Sequence, residues 1–297
     1  MIDALPDLRD IVRQHGGDLY AGGNAATIPA PGHSARDRSL SLRLDGDRIV
    51  WHSFTGELSH GAVMDYLGIS QAEGRRSTPA DLAKARAARE RAKREEAARD
   101  MRFCAAAWAG AVPLEGTPAE AYLWSRNLIF EGVGDLRFHP AFPRSKEPGA
   151  ATHPAMVALV RTATGEPQAL HATFINPDGS GKAFGKRSRL MFGSVRGGSV
   201  HLGAPRDGVL AVSEGIETGG AYSTLKGVAT WPALSSGGLS AFVIPRRVRR
   251  LIIAADGDES GKNAALMLAE RAAKVCDVTI DAAPDGSDWA DVLEAQQ

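Results

Sequence analysis

Cysteine is scarce: Cys104 and Cys276 are the only two in 297 residues. Two thiols so far apart make neither a disulfide framework nor a thiolate zinc cage, and such usage fits a reducing cytoplasm. Long apolar runs are missing as well. No stretch approaches the roughly 20 residues needed to span a bilayer, so no membrane partner is expected. The first ten residues are mixed and charged rather than ordered as a secretory leader. Net charge is absent too, with 35 basic residues against 35 acidic ones. A neutral total leaves nucleic acid open, because binding depends on where charge sits. The 43% hydrophobic content is that of a globular chain. Its length suggests about two domains, and the expectation is a soluble cytoplasmic protein.

The pattern divides the chain into four stretches. Residues 1–75 read as a small unit of short strands. A helix over 7–15 carries Leu8, Ile11 and Val12 on one face and ends at Gly16 and Gly17. The alternation Ser39-Leu40-Ser41-Leu42-Arg43-Leu44 predicts a strand, a turn at Asp45-Gly46-Asp47 and a partner from Arg48. A closing helix is expected over 62–67. Residues 76–110 form a basic linker helix, in which Lys84, Arg86, Arg89, Arg91, Lys93, Arg94 and Arg99 outnumber Glu90, Glu95 and Glu96. Residues 111–205 are mixed α/β, with strands over 153–160 and 168–175. From 206 to 297 short apolar strands (209–213, 228–232, 250–255, 278–281) alternate with helices (218–225, 262–275). That rhythm predicts a parallel sheet wrapped by helices.

Carboxylates gather at the ends of those strands. The first ends in Ser213-Glu214-Gly215-Ile216-Glu217. The third ends in Ala255-Asp256-Gly257-Asp258-Glu259-Ser260-Gly261. The last is followed by Asp285-Gly286-Ser287-Asp288-Trp289-Ala290-Asp291. Open α/β sheets bind ligands at the carboxyl edge of their strands. Carboxylates crowded there repel one another unless a cation intervenes, and oxygen-only donors select hard ions such as Mg²⁺ or Mn²⁺. Gly215, Gly257 and Gly261 are read as turn residues that aim these side chains. Asp and Gly also mark ordinary turns and helix caps; it is the three segments together, in this order, that point to an ion.

This Glu-Gly, Asp-x-Asp and downstream acidic run resembles the Toprim domain, a Rossmann-like fold of replicative primases, topoisomerases and some nucleases. The resemblance implies Glu214 as acid/base residue and Glu214, Asp256, Asp258 and Asp288 as metal ligands. Such primases often carry an Asp four residues after the first Glu. Thr218 stands there here, which leaves Glu217 a weaker candidate. Residues 122–128 (Tyr-Leu-Trp-Ser-Arg-Asn-Leu), 136–140 and 172–183 resemble the stretch before Toprim in DNA primases of phage and plasmid type. Lys182, Lys186, Arg187, Arg189 and Arg196 form a cationic series read as a phosphate-tracking surface. In primases of this group a zinc ribbon of the form Cys-Pro-x-His and His-Cys-Phe-x-Cys comes first. Ala30-Pro31-Gly32-His33 and His52-Ser53-Phe54-Thr55-Gly56 hold those places without a thiol. The resemblance therefore predicts a degenerate zinc-ribbon-like module and no zinc.

Together these features predict a primase-like nucleotidyltransferase making short primers on a single-stranded DNA template from nucleoside triphosphates, for a phage, plasmid or similar element. Gly179-Ser180-Gly181-Lys182 lacks the full helicase phosphate-loop pattern, so a separate helicase or replication protein is the expected partner. A Toprim nuclease and a non-catalytic nucleic-acid-binding accessory are the alternatives.

Overall fold

Asp7 caps the first helix, α1 (Leu8–His15), by accepting the Arg9 N–H. In the computed structural model, which describes residues 7–45, 48–56, 58–69, 79–130 and 132–296, this helix packs Leu8 and Ile11 into a small core. Beside it lies an antiparallel sheet of β1 (Asp18–Tyr20), β2 (Ala25–Ile28), β3 (Leu40–Leu44) and β4 (Ile49–Ser53) in sequential order. Period-two alternation sends Leu40 and Leu42 inward, where Ile28, Ala26 and Val63 of α2 (His60–Tyr66) meet them. Strands β1 and β2, three and four residues long, are too short to announce themselves. Part of the expected hairpin turn, Gly46 and Asp47, lies outside the described residues. These elements belong to the first of two compact units, Met1–Ala85; the second is Arg86–Gln297.

At the positions matched to the zinc ribbon, Ala30 is a buried core residue and His33 Nδ1 contacts Asp37 at 2.6 Å; outside them, the Trp51 indole donates to His60 Nδ1 at 3.1 Å. These two imidazoles are engaged with protein partners, and His52 packs edge-on against Phe54.

The basic helix α3 (Pro79–Ala109) forms as its composition predicts. From residue 86 to 99 every side chain is exposed, with ion pairs Arg91–Glu95 and Arg94–Glu90 one turn apart. Its last turns are more than a linker. Cys104 and Ala107 are buried there, with Phe103 and Trp108 packed against the same core. They cover an antiparallel sheet of β5 (Leu136–Pro143), β6 (Thr152–Arg161), β7 (Pro167–Phe174) and β8 (Arg189–Gly193), with β9 (Ser199–Val200) paired to the end of β6. Strand β6 is buried on both faces. Ala155, Val157 and Leu159 face α3, whereas Met156, Ala158 and Val160 face the opposite core with α4 (Pro118–Trp124). Full burial of such a side chain is worth roughly 1.5–3 kcal/mol.

The last 90 or so residues form a four-stranded, wholly parallel sheet in the order β11 (Thr230–Pro232), β10 (Val209–Ser213), β12 (Arg250–Ala255), β13 (Asp277–Ala282). Helices α5 (Ile216–Lys226) and α8 (Trp289–Glu294) contribute to the core on one face, and α6 (Ser236–Ala241) and α7 (Glu259–Ala272) to the core on the other. Thus Ala211 and Ala254 pack with Tyr222, Trp289 and Leu293. Leu210, Val212, Leu251 and Ile253 pack with Leu239, Ala265 and Leu268. The first of these cores continues without a break into the antiparallel sheet through Met156, Ala158 and Val160.

Candidate acidic metal site

Register dictates where the carboxylates go. In the β10–β12 ladder Ser213 pairs with Ala254, so Glu214 and Asp256 leave adjacent strands at the same edge. Neighbouring strands are about 4.8 Å apart. Asp258 follows as the N-cap of α7, accepting the Gly261 N–H at 2.6 Å. Asp288 arrives from beyond β13 as the N-cap of α8. It accepts from Ala290 and Asp291 N–H, while Asp291 returns the bond to the Asp288 N–H.

Backbone fastens the second acidic segment to the third. Gly257 N–H donates to Ser287 O at 2.8 Å, and a Cβ at Gly257 would lie 1.9 Å from Pro284 O. A Cβ at Gly261 would crowd Asp256 O at 2.9 Å and Asp258 Oδ1 at 3.2 Å. Neither of these glycines has a positive φ, and neither does Gly215, the N-cap of α5. The turn-making role expected of them is therefore corrected. Gly257 and Gly261 are required by close approach of chains, whereas Gly215 meets only the flexible Thr218 side chain.

The electrostatics follow from this placement. Burial, then the charges of Glu214, Asp288 and Asp258, push the Asp256 carboxyl up to about 7, against a lesser pull from the Thr218 hydroxyl. Its Oδ1 is buried without a hydrogen-bond partner. Burial and the Asp258 charge raise Glu214 as well, while the Ser236 N–H at the start of α6 opposes them. The charges of the other three carboxylates named from the sequence thus all reach Asp256 at one rim. A hard cation fits this set. It supplies the charge the cluster lacks and a partner for the orphaned Asp256 oxygen. Among the described residues no three His, Cys, Asp or Glu side chains enclose an ion by themselves.

The cationic series divides. Lys182 Nζ sits 2.7 Å from Glu217 Oε2 and Arg189 Nη2 at 3.4 Å from it. Lys186, Arg187 and Arg196 are exposed and make no ion pair among the described residues. Glu217, the weaker candidate of the sequence reading, is the hub of this second cluster. The Tyr122 hydroxyl also donates to it. Burial alone raises the Glu217 carboxyl, but Lys182, Tyr122 and Arg189 outweigh it and hold Glu217 below its ordinary value. Behind them lies His171, wholly buried, whose pKa burial and the Arg189 charge lower to about 4. Sequence reasoning missed Thr218, Tyr122, Ser236 and His171. Thr218, one helical turn beyond Glu214, and Tyr122, which opens the primase-like run 122–128, had a signal; Ser236 and His171 had none.

A parallel sheet with its acidic rim at the strand ends defines the class, and residues 209–297 match the family model described as a Toprim domain. The C-terminal third of this chain is a Toprim domain. Residues 97–202 match a model described only as a domain of unknown function, DUF7146. No curated protein matches the chain. Among solved structures the chain is similar to the Aquifex aeolicus primase (zinc-binding and RNA polymerase domains), at 15% identity, 98% of this chain, 80% of that one and a TM-score of 0.46. It is similar also to a DnaG primase catalytic domain bound to single-stranded DNA, at 14% identity, 68% and 76% coverage and a TM-score of 0.49. The bacteriophage T7 primase fragment follows at 15%, 59%, 69% and 0.42. Among the described residues no helix is long and apolar enough to cross a membrane.

Proposed function

We propose that the protein is a primase-like, Mg²⁺- or Mn²⁺-dependent nucleotidyltransferase that joins nucleoside triphosphates on a single-stranded DNA template. One observation carries this reading. Asp256 holds a buried, unpartnered oxygen and a carboxyl pushed to about 7, at the edge of a Toprim sheet where Glu214, Asp258 and Asp288 share its field. A bound ion would screen the triphosphate and stabilise its leaving group. Asp256 and Asp258, with Asp288 beside them, would hold it. Glu214 would accept the proton of the attacking 3′-hydroxyl, a role helped by a carboxyl held above its ordinary value by burial and the Asp258 charge. Lys186, Arg187 and Arg196 supply the positive surface a polyanion needs beside so acidic a rim. Replication of a phage, plasmid or similar element, with a separate helicase, is the setting this activity fits.

Incubation with labelled single strands, ribo- and deoxyribonucleoside triphosphates and Mg²⁺ or Mn²⁺ tests it. Extension products that vanish in Glu214→Gln and Asp256→Asn support the proposal. Shortened strands would move the protein to the Toprim nucleases. Function in cells unchanged by both substitutions would make it a binding accessory.

A further inference from the structure

Two residues beyond Lys182 the chain does something its sequence context does not require. Phe184 adopts a left-handed backbone (φ 64°, ψ 14°) and keeps 48% of its surface exposed. That conformation is disfavoured for any residue with a side chain, by about 1–2 kcal/mol, and Gly185 beside it shows how easily glycine would serve. The ring does not hang free. The Arg144 guanidinium lies 3.6 Å from its centroid, the His153 ring 4.7 Å away and Phe174 6.0 Å away, both steeply inclined. Arg144 is itself fixed. It also lies over Phe174 at 4.7 Å, and its Nη2 donates to Arg187 O at 3.5 Å. Its Nη1 is buried without a hydrogen-bond partner. The guanidinium is thus placed for stacking more than for hydrogen bonding.

We propose that Phe184, braced by Arg144 and His153, is a stacking platform for one base of a single-stranded nucleic acid. Lys186 and Arg187 hold the flanking phosphates. A braced aromatic loses little freedom when a base settles on it, and stacking tolerates any sequence because every base has a π-face. The neighbouring short helix offers two exposed cations that form no ion pair among the described residues. The platform is tied through Lys182 to the Glu217 cluster on α5. Lys182, which contacts Glu217 on the helix following Glu214, is only two residues away, a span of at most about 7 Å of chain. A strand stacked at Phe184 would therefore pass close to Lys182 and Glu217. Were Phe184 merely a lid on Phe174, an aliphatic side chain would do as well. This inference rests on the reading of the protein as an enzyme of single strands.

Fluorescence anisotropy with a labelled oligodeoxythymidylate and an abasic oligonucleotide of equal length separates base from phosphate contacts. The intact protein is expected to prefer the base-bearing strand by roughly 5- to 100-fold. Phe184→Ala and Phe184→Leu should bring that ratio near one while leaving abasic affinity unchanged. The leucine variant keeps apolar contact with Phe174 in case alanine unfolds the loop. Phe184→Trp should keep the preference and show indole quenching on binding. The double variant Lys186→Ala/Arg187→Ala should weaken both strands equally. A preference that survives Phe184→Leu, or a Phe184→Trp protein whose added indole is not quenched by the bound strand, overturns the platform. An intact protein that binds neither strand overturns the single-strand reading itself, and the platform with it.

Discussion

Replacing Asp256 with Asn should make the metal-free protein more stable, an unusual result for a half-buried residue. The Asp256 carboxyl ionises near 7 in the folded chain against 3.8 in the open one. A raised acid opposes folding increasingly as pH climbs from 3.8 through 7, and the whole penalty is present above 7. Three units correspond to a ceiling of about 4 kcal/mol. Solvent screening at this partly open rim reduces it to about 1–3 kcal/mol. Thermal melting in chelator at about pH 8 should therefore show Asp256→Asn rising by roughly 2–10 °C. Adding Mg²⁺ at about a hundred times its dissociation constant should stabilise the unaltered protein by about 3 kcal/mol. The variant should lose most of that gain. A variant that melts lower in chelator, or an Mg²⁺ response equal in both proteins, would refute the account of the rim as charge awaiting a cation.

Three further outcomes are expected. Gly257→Ala should lower the melting temperature by the equivalent of about 2 kcal/mol or more, and weaken the Mg²⁺ response, because its methyl group meets Pro284 O at 1.9 Å and parts the loops carrying Asp256 and Asp288. Lys182→Met leaves Glu217 with Arg189 alone among its cations and should cost about 2 kcal/mol in urea unfolding, with Lys182→Arg restoring most of it. His171 stays neutral in the fold because its pKa falls to about 4 from 6.5. Stability tied to it is complete above 6.5 and lost as pH falls toward 4, about 2 kcal/mol at about pH 5. Denaturation at stepped pH should show this slope, and His171→Gln should flatten it.

The parallel sheet was legible because β10 and β12 are short, largely apolar runs flanked by Gly and Asp, too short for buried helices and of a length that suits buried strands. The rim was legible for the same reason: strand ends name their own ligands. What escaped was short or hidden behind another signal. Helix α6 is six residues of Ser, Gly, Leu and Ala, too small for periodicity. Strand β8 opens on Arg189 and lay within a basic run. Helix α8 sat inside what read as an acidic loop, although Asp288 and Asp291 form a reciprocal cap that Asp-x-x-Asp spacing permits. Glu217, Lys182 and Tyr122 meet across a tertiary contact, and no local pattern could announce that. Glycine chemistry misled in a particular way: the residue type was diagnostic at Gly257, but of crowding rather than of a bend.

The core shared between the antiparallel sheet and helices α5 and α8 carries a consequence for handling the molecule. Tyr222, Trp289 and Leu293 lie in the same unbroken core as Met156, Ala158 and Val160, so a fragment cut near residue 206 would expose an aromatic-rich surface to water. The acidic third is not a cartridge to be lifted into another scaffold. Anyone transplanting it must bring the preceding hundred or so residues along, or redesign the face they cover.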